Sequence, residues 1–167
     1  EGAYQFDGIN DYIKLATGFS NSEGTVTAWI NMASMTESNP VFVGRDTTYN
    51  GIGVELTVDP NTGADASRVS YGLDHRDCVG GGCNLFFEIG EPQLAPTAWT
   101  HVAMSSDGSQ ITISIDGVPV TTYQGSCGSG GGLWFDDLCQ NVEYCIGRHN
   151  RPLSSSFFHG LIDDVKV

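Results

Sequence analysis

Gln110-Ile-Thr-Ile-Ser-Ile-Asp-Gly-Val-Pro-Val-Thr-Thr-Tyr123 is the stretch whose reading decides the fold. Polar and apolar residues alternate up to Ile115, so a period of two places Ile111, Ile113 and Ile115 on one face and Thr112 and Ser114 on the other. Asp116-Gly117 is a strong signal for a tight two-residue turn. The reading is a β-hairpin with one face toward a core.

Comparable runs bounded by Gly, Pro, Asn and Asp recur along the chain, and no 11-residue window carries a helical apolar period. Strands are expected at 25–32, 41–44, 53–58, 68–73, 85–89, 100–105, 110–115, 119–123 and 144–148, with strand-like segments at 4–15 and 158–167. About ten short strands with regular turn signals imply an all-β protein whose two antiparallel sheets pack as a jelly-roll sandwich. The 167 residues, 40% of them hydrophobic, suit one domain spanning 1–167 with a single core.

The net charge is −13, with only seven Lys and Arg, at 14, 45, 68, 76, 148, 151 and 166. Read as scattered, these argue against nucleic acid, which needs clustered cations. They also disfavour sulfated or uronic polysaccharides unless calcium bridges the two anions. No run of about 18 apolar residues exists, so no membrane insertion is expected. The opening Glu-Gly-Ala-Tyr lacks a charged and an apolar leader region, so any signal peptide is expected to be already removed.

Five cysteines lie at 78, 83, 127, 139 and 145. Cys78 and Cys83 flank Val-Gly-Gly-Gly, and Cys127 sits in a second glycine-rich stretch, where a crosslink offsets the entropy of ordering flexible backbone. The expected pairs are Cys78–Cys83 and Cys127–Cys139, leaving Cys145 on a strand; Cys139–Cys145 is the alternative. The fifth cysteine is either buried and free or paired with another chain. This usage points to an oxidising, extracellular setting. A zinc site is the competing reading, against which stand the spacing and the lack of a suitably placed histidine.

In the closing segment a strict period of two puts Leu161, Asp163, Val165 and Val167 on one face and Ile162, Asp164 and Lys166 on the other. A carboxylate sharing a face with apolar residues needs a cation, backbone N–H groups or an arginine.

Five segments, FDGINDYIKL (6–15), TVTAWINM (25–32), WTHVAMSSDGSQITISIDGVPV (99–120), YCIGR (144–148) and FFHGLIDDVKV (157–167), together resemble the successive strands of a laminin G-like domain of the concanavalin A-like lectin/glucanase superfamily. The resemblance implies the sandwich and puts the first and last strands side by side. Related folds carry a structural calcium near that junction. Here Asp7 and Asp163, with Asn10, Asp11 and Asp164, are its candidate ligands; the competing reading makes Asp7-Gly8 and Asn10-Asp11 simple turn formers.

Catalytic patterns of the glucanase relatives are not met. Glu55-Leu-Thr-Val-Asp59 has Thr57 where an acid belongs and runs into Pro60. His101 reads as a structural histidine, and His75, between Asp74 and Asp77, has no diagnostic metal spacing. No serine sits in a nucleophile-elbow context. The best candidate contact surface is Trp134-Phe135 beside Asp136-Asp137, since aromatic faces stack on sugars and carboxylates bond hydroxyls or hold a cation. The alternative tucks Trp134 under its loop as a satellite of the core. The function expected is a non-catalytic extracellular or cell-surface module that binds glycan. Its alternative is a structural subunit of an extracellular fibre, matrix or surface assembly, self-associating into a polymer.

Overall fold

Ile111, Ile113 and Ile115 are buried, and the chain reverses after them at Asp116 (φ 50°) and Gly117 (φ 77°). Two successive positive φ values make this the primed turn that matches the twist of the flanking strands. The computed structural model describes residues 2–16, 18–46, 53–59, 68–75, 83–88, 94–120, 134–138, 141–149 and 156–167. In chain order their strands are β1 (Tyr4–Asp7), β2 (Ile13–Lys14), β3 (Gly24–Met32), β4 (Asn39–Asp46), β5 (Gly53–Asp59), β6 (Arg68–His75), β7 (Cys83–Glu88), β8 (Thr100–Ser106), β9 (Ile111–Ile115), β10 (Val118–Val120), β11 (Val142–Ile146) and β12 (His159–Lys166). A short 3-10 turn spans Phe135–Asp137.

These strands form two six-stranded antiparallel sheets. The first runs β1-β12-β3-β8-β9-β10 and the second β2-β11-β4-β5-β6-β7. The all-β sandwich and the adjacency of the first and last strands are therefore as expected. In β3 the alternation is strict: Val26, Ala28, Ile30 and Met32 are buried while Thr25 and Trp29 face out. Phe42, Leu56, Tyr144 and Ile146 meet them from the second sheet, and Phe42 and Tyr144 form an aromatic knot with Phe19 and Phe135, its centroids 4.9 to 6.3 Å apart. Gly44 makes room for it, because a Cβ there would come within 2.6 Å of the Tyr144 ring.

The closing strand departs from the strict period of two. Gly160 and Ile162 are buried, Leu161 is half-buried and Asp163 is exposed. The register shifts between Asp163, opposite Trp29, and Lys166, opposite Thr27, with Asp164 at a positive φ of 49°. This is a β-bulge, and the extra residue returns Val165 toward the core. Asp163 therefore never shares a buried face with the valines. Expected strand 41–44 also runs longer, to Asp46, which brings Arg45 into the sheet.

Candidate functional site

The outer face of the second sheet carries a row of ionisable side chains. On β4 and β5 the core takes Phe42, Val54, Leu56 and Val58, so alternation turns Arg45 and Glu55 the other way. Arg45 lies directly opposite Glu143 of β11, and Lys14 of β2 opposite Cys145. Arg45 donates to Glu55 through Nη1, His149 Nε2 lies 3.4 Å from Glu55 Oε2, and these three side chains are at most 6% exposed. Lys14 Nζ donates to Glu143 Oε2, whose other oxygen is 3.9 Å from Arg148 Nη1. The Arg148 guanidinium sits 4.6 Å from the centroid of the Tyr12 ring, within range for a cation–π contact.

Charge is concentrated here. Among the described side chains, Lys14, Arg45 and Arg148 meet the carboxylates of Glu55 and Glu143. The sequence made these cations look scattered, because cross-strand register and not spacing brings them together. Buried ion pairs are poor stabilisers, since desolvation consumes much of the attraction. Such clusters mark functional sites more often than ordinary sheet faces do. Burial pushes the Glu143 carboxyl up, but the Lys14 hydrogen bond, the Cys145 thiol and the Lys14 and Arg148 charges outweigh it and hold Glu143 below the usual carboxylate range. Lys14 and Tyr12 stand at the solvent side, and Arg45, Glu55 and His149 lie beneath.

Cys145 closes this row as a free, buried thiol donating to Glu143 Oε1 at 3.4 Å. Burial first, and the adjacent Glu143 charge second, push its thiol up to about 12. Only the thiolate is nucleophilic. In the folded protein at pH 8, the Cys145 peptide should stay unmodified by iodoacetamide and become alkylated in guanidinium. Rapid native labelling would show an open, low-pKa thiol instead. The side chains of Cys78, Cys83, Cys127 and Cys139 lie outside the described residues, and with them both expected disulfides.

The expected calcium set does not converge. β1 pairs with β12, but Asp7 faces His159, whereas Asp163 lies beyond Ile162, the partner of Tyr4. Four register positions correspond to about 13 Å along a strand. Asp7 Oδ1 instead accepts the backbone N–H groups of Ile9, Asn10 and Asp11, while Asp11 Oδ2 accepts that of Asp7. Those bonds, led by that from Ile9, hold the Asp7 carboxyl below its ordinary value. Asp163 accepts from the Asp164 N–H, and Asp164 pairs with Lys166. Asp7 lines a polar pocket of about 230 Å³ with Glu37, Asn39 and His159. Among the described residues no three His, Cys, Asp or Glu gather as a metal-ligand group. These five residues fit the turn and bulge roles and not one shared ion.

The aromatic candidate is also corrected. Trp134 is 1% and Phe135 4% exposed, stacked at 4.7 Å and joined to the knot of Phe19, Phe42 and Tyr144. Their large apolar area is used inside. Asp136 is exposed, its N–H donating to the Asn21 carbonyl, and the Asp137 side chain lies outside the described residues.

A family model described as "Concanavalin A-like lectin/glucanases superfamily", of laminin G type, matches residues 7–167. The chain belongs to this laminin G-like family. No curated protein matches it in sequence. Among solved structures, this laminin G-like domain is similar to the Ruminococcus gnavus IT-sialidase CBM40 bound to α2,3-sialyllactose, with a TM-score of 0.64, 17% identity, and 98% of this chain and 88% of that one covered. Mouse laminin α1 LG4-5 gives 0.60 and 15%, over 99% and 40%. Domain 4 of AbnA, an extracellular GH43 arabinanase from Geobacillus stearothermophilus in complex with arabinotriose, gives 0.56 and 17%, over 88% and 60%. The domain spans only 60% of that last chain and 24% of a bacteriophage CBA120 tailspike protein. At these identities the likeness is one of fold.

Proposed function

We propose that this laminin G-like domain is a non-catalytic, extracellular glycan-binding module whose ligand is a sugar acid held on the outer face of the second sheet. The observation that carries the reading is the Arg148 guanidinium set 4.6 Å from the exposed Tyr12 ring, with the Lys14 ammonium at the solvent side of the same cluster. A guanidinium matches a carboxylate with two parallel hydrogen bonds. Arg148, placed over the Tyr12 ring with Glu143 3.9 Å away, is the group positioned to offer them. Lys14 adds a second cation at the rim, and the exposed Tyr12 ring offers an apolar surface to the sugar. Arg45 and His149 stay with Glu55 and shape the floor. The neighbours support the glycan class: one is a carbohydrate-binding module with sialyllactose and another holds arabinotriose. The coverage of 88% of the first chain, against partial coverage of larger chains, favours a binding unit over a catalytic one.

Calorimetric titration with α2,3-sialyllactose and with lactose tests this. Sialyllactose should bind more tightly than lactose, and Arg148→Ala should weaken the capture of sialyllactose alone about tenfold or more, near 1.4 kcal/mol or above. Added salt should weaken it further, because the exposed Lys14 is screened. Equal binding of the two sugars, or binding of neither, removes the sugar-acid reading.

A further inference from the structure

The opposite side of the sandwich carries a row that the charged face does not use. On the outer face of the first sheet, Asp163 of β12 lies opposite Trp29 of β3, and Trp29 opposite His101 of β8. The Trp29 and His101 rings are 5.3 Å apart at 60°. At the far end, Asp116 accepts the His101 backbone N–H through Oδ1 at 2.8 Å and donates its own N–H to the His101 carbonyl. Trp99, two residues before His101, stands just beyond the start of β8. Trp29 is 41% and Trp99 44% exposed, although β3 and β8 are the two middle strands of the sheet.

Two of the three tryptophans of the chain are thus held open to water on one face, while the third is in the core. Lone exposed apolar residues need no explanation, but adjacent large ones mark contact sites. The chemistry of this row narrows the ligand. Indole rings offer a flat apolar surface to the C–H face of a pyranose. The flanking carboxylates only accept hydrogen bonds, so they suit a ligand rich in hydroxyl donors and repel a sugar acid. The cation nearest in register, Lys166 opposite Thr27, is paired with Asp164. The rings lie on one open surface and do not enclose a volume, which suits a flat sugar better than a quaternary ammonium ion. We propose that this face is a second binding site, for a neutral saccharide stacked on Trp29 and hydrogen-bonded by Asp163 and Asp116. It rests on different residues from the sugar-acid site and stands or falls separately.

The test is tryptophan fluorescence of the intact chain titrated with cellohexaose, xylohexaose and mannohexaose. At least one should give a saturable change, and Trp29→Ala should weaken it about tenfold or more. An unchanged guanidinium unfolding midpoint would report that the variant is folded. Excess sialyllactose should not displace the neutral sugar. The proposal is overturned if none of the three binds, if binding survives Trp29→Ala, or if sialyllactose competes. A response to choline in place of sugars, or a dimer in sedimentation that Trp29→Ala dissociates, would equally overturn it, assigning the face to a cation or to a second copy.

Discussion

Trp134→Ala should destabilise the domain by about 3–5 kcal/mol, the cost of deleting a buried aromatic side chain whose cavity the surroundings cannot refill. Trp134 is among the largest fully buried side chains. It stacks on Phe135, which in turn touches Phe19, Phe42 and Tyr144, and its indole nitrogen packs against Gly24 at the start of β3. Its removal therefore loosens both sheets at one point. Guanidinium unfolding should show a lower midpoint with an unchanged slope. Normal stability with impaired ligand capture would instead put Trp134 on a binding surface. Against a domain stability of about 5–15 kcal/mol, the expected loss is a large share of the total.

Glu55→Ala should cost a comparable amount, about 3–5 kcal/mol, because it leaves two polar side chains in a buried site without their shared carboxylate. Arg45 and His149 both face Glu55, and all three are almost wholly enclosed. The paired change Arg45→Met with Glu55→Leu should cost far less than Glu55→Ala alone, since both charges leave together and the volume is kept. Urea unfolding of the two variants decides the matter. If Glu55→Ala falls by less than about 1 kcal/mol, the range of exposed pairs, then water reaches the cluster and its role is not that of a rigid floor.

The β9–β10 hairpin and β3 were legible in sequence because each has one wet and one dry face, and alternation reports that difference directly. Three other features had no such signature. Trp134-Phe135 beside Asp136-Asp137 has the same composition whether the rings point inward or outward, and only the position of that short turn against Phe42 and Tyr144 chooses between them. The bulge at Asp164 inserts one residue into an otherwise regular strand, and a single insertion is visible only against the register of β3. The charged row needed both a longer β4 and the pairing of Arg45 with Glu143; these residues are far apart in sequence and unremarkable alone. The alternating positions Arg45 and Glu55, each set against core-facing Phe42 and Leu56, were the signal that could have suggested a polar outer face.

β12 comes last in chain order yet lies second in its sheet, between β1 and β3, so that Tyr4 meets Ile162 and Trp29 meets Asp163. Pairings between such distant segments are slow to form, because the loop entropy is lost before any contact rewards it. During synthesis, β3 waits with one row of backbone donors and acceptors unpaired until residues 159–166 arrive. That row is a template for association with another chain. Chaperone dependence and aggregation of interrupted chains should therefore be governed by this one late strand, with the β9–β10 hairpin forming early and contributing little to the delay.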